Sequence, residues 1–354
     1  MDTGTAPKPA RPKRFLSGVQ PSGKLHLGNY FGAIKQHIEL QHEGDCFYFI
    51  ADYHALTTVE DAARRRASEL NQKKPDRAAT LRENTRDVAL DYLALGLDPE
   101  KTVFYRQSDV PEVCELAWIL STVTNMGLLE RAVSYKEKVE KGIDASVGLF
   151  TYPVLMAADI LIVRSHVVPV GKDQVQHLEM TRDIAVKFNE AAGKPVFPLP
   201  TPRLDKESKV PGTDGQKMSK SYGNTIEIFA EGKPLEKKIL KEIVTSSTPL
   251  GQPLDPDTCN VFALYSLFAS DQEKADLAAD YRSGKIGYGT SKKLLLEKIT
   301  AYFEAARQKR KELAANPDYV EEVLRRGAQR ARAEVQQTMS LVREAVGMKP
   351  QTVG

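Results

Sequence analysis

Four short apolar runs, each followed by a longer stretch with helical periodicity, constrain this chain more than any other feature. FLSGV (15 to 19), CFYFIAD (46 to 52), TVFYRQ (102 to 107) and VVPV (167 to 170) read as buried strands. Apolar residues recur at helical spacing from Leu27 to about His42. Leu81, Thr85, Val88, Tyr92 and Leu95 do the same up to Gly96, a residue suited to stop the helix. Helical stretches follow over 112–130 and 151–163, and Gly171 leads from the fourth strand into a helix that Asp173 is placed to start. Strands alternating with helices predict an α/β domain on a parallel sheet, with ligands at the carboxyl ends of its strands.

The strand signal ends near residue 224. Beyond it, Leu295, Ile299, Tyr302 and Ala306, then Val335, Met339, Val342 and Val346, form two i, i+4, i+7, i+11 stripes, so residues 225–354 read as all-helical. A chain of 354 residues suits two domains. The expected division is a basic tail over 1–14, a sheet domain over 15–224 and a helical domain over 225–354, whose last helix is a candidate to return to the first. EKKILKEI (236 to 243) and RRGAQRARAE (325 to 334) read as solvated helix faces rather than RNA contacts.

Composition excludes several classes. A formal net charge of +3 is too small for a histone-like binder, although its sign suits a polyanionic partner if the cations cluster. Cys46, Cys114 and Cys259 lie far apart without histidines at zinc spacing, which reads as a reducing compartment and no structural metal. No run approaches the roughly 20 apolar residues of a membrane span. Residues 1–14 lack the apolar centre of a signal peptide. The expected location is the cytoplasm, away from membranes.

Two polar stretches carry the chemistry. In SGVQPSGKLHLGNYFGAI (17 to 34) a strand ends in a glycine-rich turn, and His26, Gly28 and Asn29 stand at a helix start, where unpaired N–H groups favour phosphate. The stretch is neither a Walker loop nor a dinucleotide GxGxxG, and alone it is also a common structural corner. DGQKMSKSYGN (214 to 224) gathers Lys217, Lys220, Ser219 and Ser221 around Met218, in a segment too short and glycine-flanked to build a core.

Together, PSGKLHLGN and KMSKS resemble the two signatures of class I aminoacyl-tRNA synthetases, the first as a variant of the HIGH motif. SGVQPSG (17 to 23), FIADYHALT (49 to 57), YPVLMAADIL (152 to 161) and VPVGKDQVQHLEMTRDIA (168 to 185) resemble, within that class, the bacterial tryptophanyl-tRNA synthetases. The resemblance covers about residues 15–348. It implies a Rossmann-type catalytic domain, a helical anticodon-reading domain, a homodimer, and L-tryptophan, ATP with Mg²⁺ and tRNA(Trp) as substrates, with no tightly bound metal.

Tyr152, Met156 and Asp159 are spaced i, i+4, i+7 and project from one helix face beside small Ala157 and Ala158. A buried carboxylate needs a partner. Arg164 is one candidate; an indole N–H, which only donates, is another, and spacing alone leaves the two equal. The resemblance implies the second, with the Met156 sulfur beside the ring and Val168 and Val170 walling it. It also places His54 and Gln174 near the amino acid, although His54 reads equally as a satisfied core histidine.

For ATP, the resemblance implies contacts from Gln20, Pro21, Ser22, His26, Gly28 and Asn29, from Gly171, Lys172 and Asp173, from Val210, and from Lys217, Met218, Ser219, Lys220 and Ser221. Asp173 would also cap its helix without any ligand. Lys217, Lys220 and a third, mobile lysine, Lys138 in YKEKVEKG (135 to 142), are implied to neutralise the leaving pyrophosphate. The chain departs from relatives at Leu16, where some carry an aromatic, at His26, a threonine in others, and in the length of 205–216. The competing expectations are a tyrosyl-tRNA synthetase, whose phenol both donates and accepts, and a non-catalytic synthetase-derived RNA-binding protein, which would show eroded lysines in KMSKS.

Overall fold

The computed structural model describes residues 12–70, 74–132, 135, 146–204, 210–249 and 251–348. Five parallel strands, β1 (Arg14–Val19), β2 (Asp45–Ile50), β3 (Thr102–Arg106), β4 (Val167–Val170) and β5 (Thr201–Leu204), form one sheet in the order β3-β2-β1-β4-β5. The four expected strands are present, and the chain enters β1 at Arg14, one residue earlier than expected. β5, TPRL, carries too little apolar signal to be read in advance. Strand order reverses between β1 and β4, so the carboxyl edge opens a crevice there, as in Rossmann-type folds.

Side chains along β2 alternate between the sheet's two faces. Cys46, Tyr48 and Ile50 join one core, with Phe15 and Phe104, while Phe47 and Phe49 join the other, with Leu16, Val103, Tyr105, Val168 and Val170. Both faces are covered by helices, as a parallel sheet requires.

The first expected helix is α-helical over Leu27–Asn29, π-helical over Tyr30–Ile34 and α-helical again over Lys35–Leu40. The next runs Arg77–Ala94, started by Asp76, which accepts from the Ala79 N–H, and stopped by Gly96 at φ 109. Val59–Glu69 is an additional helix whose polar sequence hid it. The expected 112–130 helix is broken into Glu112–Ser121 and Met126–Glu130. After β4, a 3-10 turn over Lys172–Gln174 precedes the helix Val175–Ala192, which therefore starts later than Asp173.

After residue 224 only helices follow among the described residues. Leu295 and Ile299 are buried as expected, but the stripe breaks at Tyr302 and Phe303, and two helices result, Tyr288–Tyr302 and Glu304–Ala314. The core does not divide at 224: Leu25, Met218 and Ile226 share one cluster with Leu264, Leu295 and Phe303.

The last helix, Pro317–Ala345, crosses the outer edge of β3. Val320, Val323 and Leu324 pack into one core and Ala328, Ala331, Val335, Met339 and Val342 into the other, which shields an edge strand that would otherwise be open. RRGAQRARAE is consequently more than a solvated face. Arg330 donates to the carbonyls of Pro99 and Thr102, both at 2.9 Å, and Arg332 to Glu112 at 2.8 Å. In EKKILKEI, likewise, Ile239 and Ile243 are buried.

Candidate active site

At the carboxyl ends of β1, β2 and β4 lies a cavity of about 640 Å³. Its lining comes from both sides of the topological reversal. Gln20, Ser22 and Asn29 follow β1, His54 follows β2, Val168, Val170, Gly171 and Gln174 belong to β4 and its turn, and Tyr152, Met156 and Asp159 come from the helix Val147–Ile162. Lys220 closes it from the far loop. Residues separated by up to two hundred positions thus meet where the sheet topology places ligands.

The first turn is held by its own polar groups. The Ser22 N–H donates to the Gln20 carbonyl at 2.9 Å, and the His26 N–H donates to Asn29 Oδ1 at 3.0 Å. Gln20 Nε2 donates to Thr58 Oγ1 at 2.8 Å, and Asn84 Nδ2 to the Pro21 carbonyl at 3.2 Å. His26 is buried, and burial, helped by the nearby Lys220 charge, pushes its pKa down to about 4, so the ring is neutral at physiological pH. Among the described residues its Nδ1 has no hydrogen-bond partner.

The second loop is anchored by packing rather than left open. Met218 is 4% exposed, its N–H donates to the Val210 carbonyl at 2.9 Å, and its sulfur receives the Gly28 N–H at 3.4 Å. Buried Asn224 accepts the Ser219 N–H at 2.8 Å and donates to Asp214 at 2.7 Å and to the Lys217 carbonyl at 3.2 Å. Gly212 is required beside it, since a Cβ there would stand 2.3 Å from the Asn224 amide. Lys220 donates to the Gly23 carbonyl at 3.0 Å and to Ser22 Oγ at 3.2 Å, and burial lowers its pKa to about 8. Met218 by packing and Asn224 by hydrogen bonds thus anchor this stretch to its surroundings.

Asp159 is 5% exposed and does not pair with Arg164. His54 Nε2 lies 2.9 Å from Oδ2, and Gln107 Nε2 donates to Oδ1 at 2.8 Å and to Oδ2 at 2.9 Å. Burial raises the Asp159 pKa, and the bonds from His54 and Gln107 oppose that rise. Tyr152 is hydrogen-bonded to buried His177.

The family model for tRNA synthetases class I (W and Y) matches residues 8–304. The chain belongs to this family. Among class I synthetases similar to it, the tryptophan–tRNA ligase of Fusobacterium nucleatum is 52% identical over 337 residues, covering 95% of this chain and 98% of that one. The crystal structure of tryptophanyl-tRNA synthetase from Campylobacter jejuni complexed with ADP and tryptophan is 49% identical, with a TM-score of 0.85, over 95% of this chain and 100% of that chain. The tryptophanyl-tRNA synthetase from Mycoplasma pneumoniae is 29% identical with a TM-score of 0.76, over 97% of this chain and 100% of that chain.

Within this class I synthetase the structure gathers most, not all, of the residues named from sequence. Pro21, His26, Gly28, Val210 and Met218 do not line the cavity, and neither do the exposed Lys172, Lys217 and Ser221. Ser219 also lies outside the lining and accepts the Ser221 N–H at 3.3 Å. Lys138 lies outside the described residues, as does the side chain of Asp173. Sequence reading missed Gln107, Asn84 and Asn224. Only Asn224, next to KMSKS, carried a local signal; the other two lie in segments read simply as strand and helix. Among the described residues no group of three His, Cys, Asp or Glu is placed to hold a metal, and no helix is long and apolar enough to cross a membrane.

Proposed function

We propose that this aminoacyl-tRNA ligase activates L-tryptophan with Mg²⁺-ATP, releasing pyrophosphate, and transfers the tryptophanyl group to the 3′-terminal ribose of its tRNA. The observation that carries the reading is the Asp159 carboxylate, buried in a largely apolar cavity and bonded there to the Gln107 amide and the His54 imidazole. An acceptor so placed complements an N–H donor on a flat apolar ring. A site built this way rejects analogues without the donor by about 10⁴ to 10⁵, because its own acceptor is left unpaired. Phenylalanine is thereby excluded without editing.

The reaction requires no protein nucleophile. The tryptophan carboxylate attacks the α-phosphorus, the bond to pyrophosphate breaks, and a terminal ribose hydroxyl then displaces AMP. The chain's work is positioning and charge neutralisation. Tyr152, Met156, Val168, Val170 and Gln174 hold the amino acid beside Asp159 and His54. Gln20, Ser22, Asn29 and Gly171 face the nucleotide, with Pro21, His26 and Gly28 shaping the turn behind them and Lys172, Asp173 and Val210 completing its ribose and adenine side. Lys220, with Lys217 and Lys138, stabilises the departing pyrophosphate, on a loop shaped by Met218, Ser219 and Ser221. Mg²⁺ enters as the counter-ion of ATP.

Residues 225–354 would read the anticodon. Exposed Trp118, Met126 and Val147, on helices that pack together, support a homodimer. Three unpaired cysteines fit a cytoplasmic setting. ATP–pyrophosphate exchange measured with each of the twenty amino acids tests the reading: exchange with tryptophan is expected, and exchange with tyrosine alone, or with none, refutes it.

A further inference from the structure

We infer that Gln107 is a specificity-positioning residue, which sets the Asp159 carboxylate and the helix start bearing His54 as one acceptor for the substrate N–H without touching the substrate itself. The inference rests on the tryptophan reading above.

Gln107 follows β3 in a 3-10 turn, is 1% exposed, and does not line the cavity. Its side-chain oxygen accepts the N–H of Tyr53 at 3.1 Å and of His54 at 3.4 Å. Both are backbone donors, so the amide has one orientation: oxygen toward the 52–55 helix, nitrogen toward Asp159. Its nitrogen then donates to both carboxylate oxygens, at 2.8 and 2.9 Å. Oδ2 has a second partner in His54 Nε2, at 2.9 Å. A carboxylate offers about four acceptor sites. Three are filled by these contacts, and the one left on Oδ1 serves a ligand, since Asp159 itself lines the cavity. Rotation of the carboxylate would break two bonds from Gln107 at once. A single amide therefore ties together β3, the start of the 52–55 helix and the middle of the 147–162 helix.

The test compares the full-length chain with Gln107→Met, which removes both donors without adding a second carboxylate beside Asp159, and with Gln107→Leu, which carries the comparison if Gln107→Met does not fold. Pyrophosphate exchange is measured with tryptophan and with its benzothienyl analogue, in which sulfur replaces the N–H. Expected is a tryptophan KM raised about 100-fold, with the analogue's KM, the ATP KM and kcat each within about threefold of wild type, so that discrimination between the two side chains collapses. Equal loss for tryptophan and the analogue, or a parallel rise in the ATP KM, overturns the inference and leaves the tryptophan reading intact. A wild-type chain that does not activate tryptophan overturns that reading, and this inference with it.

Discussion

Lys220 donates its ammonium to the Gly23 carbonyl at 3.0 Å, so the cation of the second loop is seated on the backbone of the first turn. The two polar stretches separated by nearly two hundred residues are one unit. Its charge is placed beside Ser22, at the edge of the cavity, with burial opposing protonation.

Lys220→Ala is expected to lower kcat for pyrophosphate exchange about 100- to 1000-fold, the usual loss for one electrostatic group acting on a transition state. Tryptophan affinity, read by equilibrium dialysis, should change less than about twofold, because the interaction develops with the leaving pyrophosphate. A matching fall in affinity would assign Lys220 to ground-state binding.

The same lysine predicts a pH dependence. Its pKa in the fold is lowered to about 8, chiefly by burial and then by the Arg65 charge, so the cation is present below that pH and lost above it. Since kcat/KM for ATP reports the free enzyme, it should fall as pH rises through about 8. In Lys220→Arg, whose guanidinium stays charged, that alkaline limb should be absent from the same profile.

Asp159→Ala should raise the tryptophan KM at least about 100-fold while the ATP KM stays within about threefold. The substitution removes the acceptor for the substrate and also strands the Gln107 and His54 donors. In the wild type, burial lifts the Asp159 pKa above its ordinary 3.8. The ionised acceptor is therefore lost as pH falls through that raised value, and the acidic limb of tryptophan binding should lie above the ordinary carboxylate range. Equal loss of tryptophan and ATP binding in Asp159→Ala would make its role structural.

Arg310 links the helical part to the sheet part, with Nε 2.5 Å from Asp91 and Nη2 2.8 Å from Asp87. Arg310→Ala leaves Asp91, whose side chain is 4% exposed, without its cation. The expected cost is about 2–3 kcal/mol in urea unfolding, below the penalty for a wholly buried pair because the guanidinium retains some solvent. Adding Asp91→Asn should recover most of it, since an amide needs no counter-charge; strict additivity of the two substitutions would argue against the pairing.

Gly327 is where the last helix touches β3. A Cβ there would stand 1.8 Å from the Phe104 carbonyl oxygen, which belongs to a strand and cannot rotate away. Gly327→Ala should cost about 3 kcal/mol or more, since both the helix and the edge strand must separate. Thermal unfolding together with limited proteolysis of the last helix checks this, and an unchanged melting temperature would contradict the contact.

The part of the site that was legible in sequence is the part built locally. Tyr152, Met156 and Asp159 face one cavity because helical spacing aligns them. Gln20, Ser22 and Asn29 meet there because a strand ending in a tight turn before a helix leaves little choice. The partners of Asp159 were not legible. Arg164 is near in sequence, yet Gln107 and His54, 52 and 105 positions away, are the residues that reach it.

By itself, then, the sequence determined the alternation of strand and helix, the parallel sheet, the turn and helix start of the first signature and the face of the helix that carries Asp159. These follow from periodicity, turn chemistry and capping, which act over a few residues. The tertiary structure alone decided that Lys220 rests on Gly23, that Gln107 holds Asp159, and that the last helix closes the β3 edge through Gly327. Such pairings depend on which elements become neighbours in the sheet and on where a buried polar group finds its partner. Spacing along the chain does not encode either one.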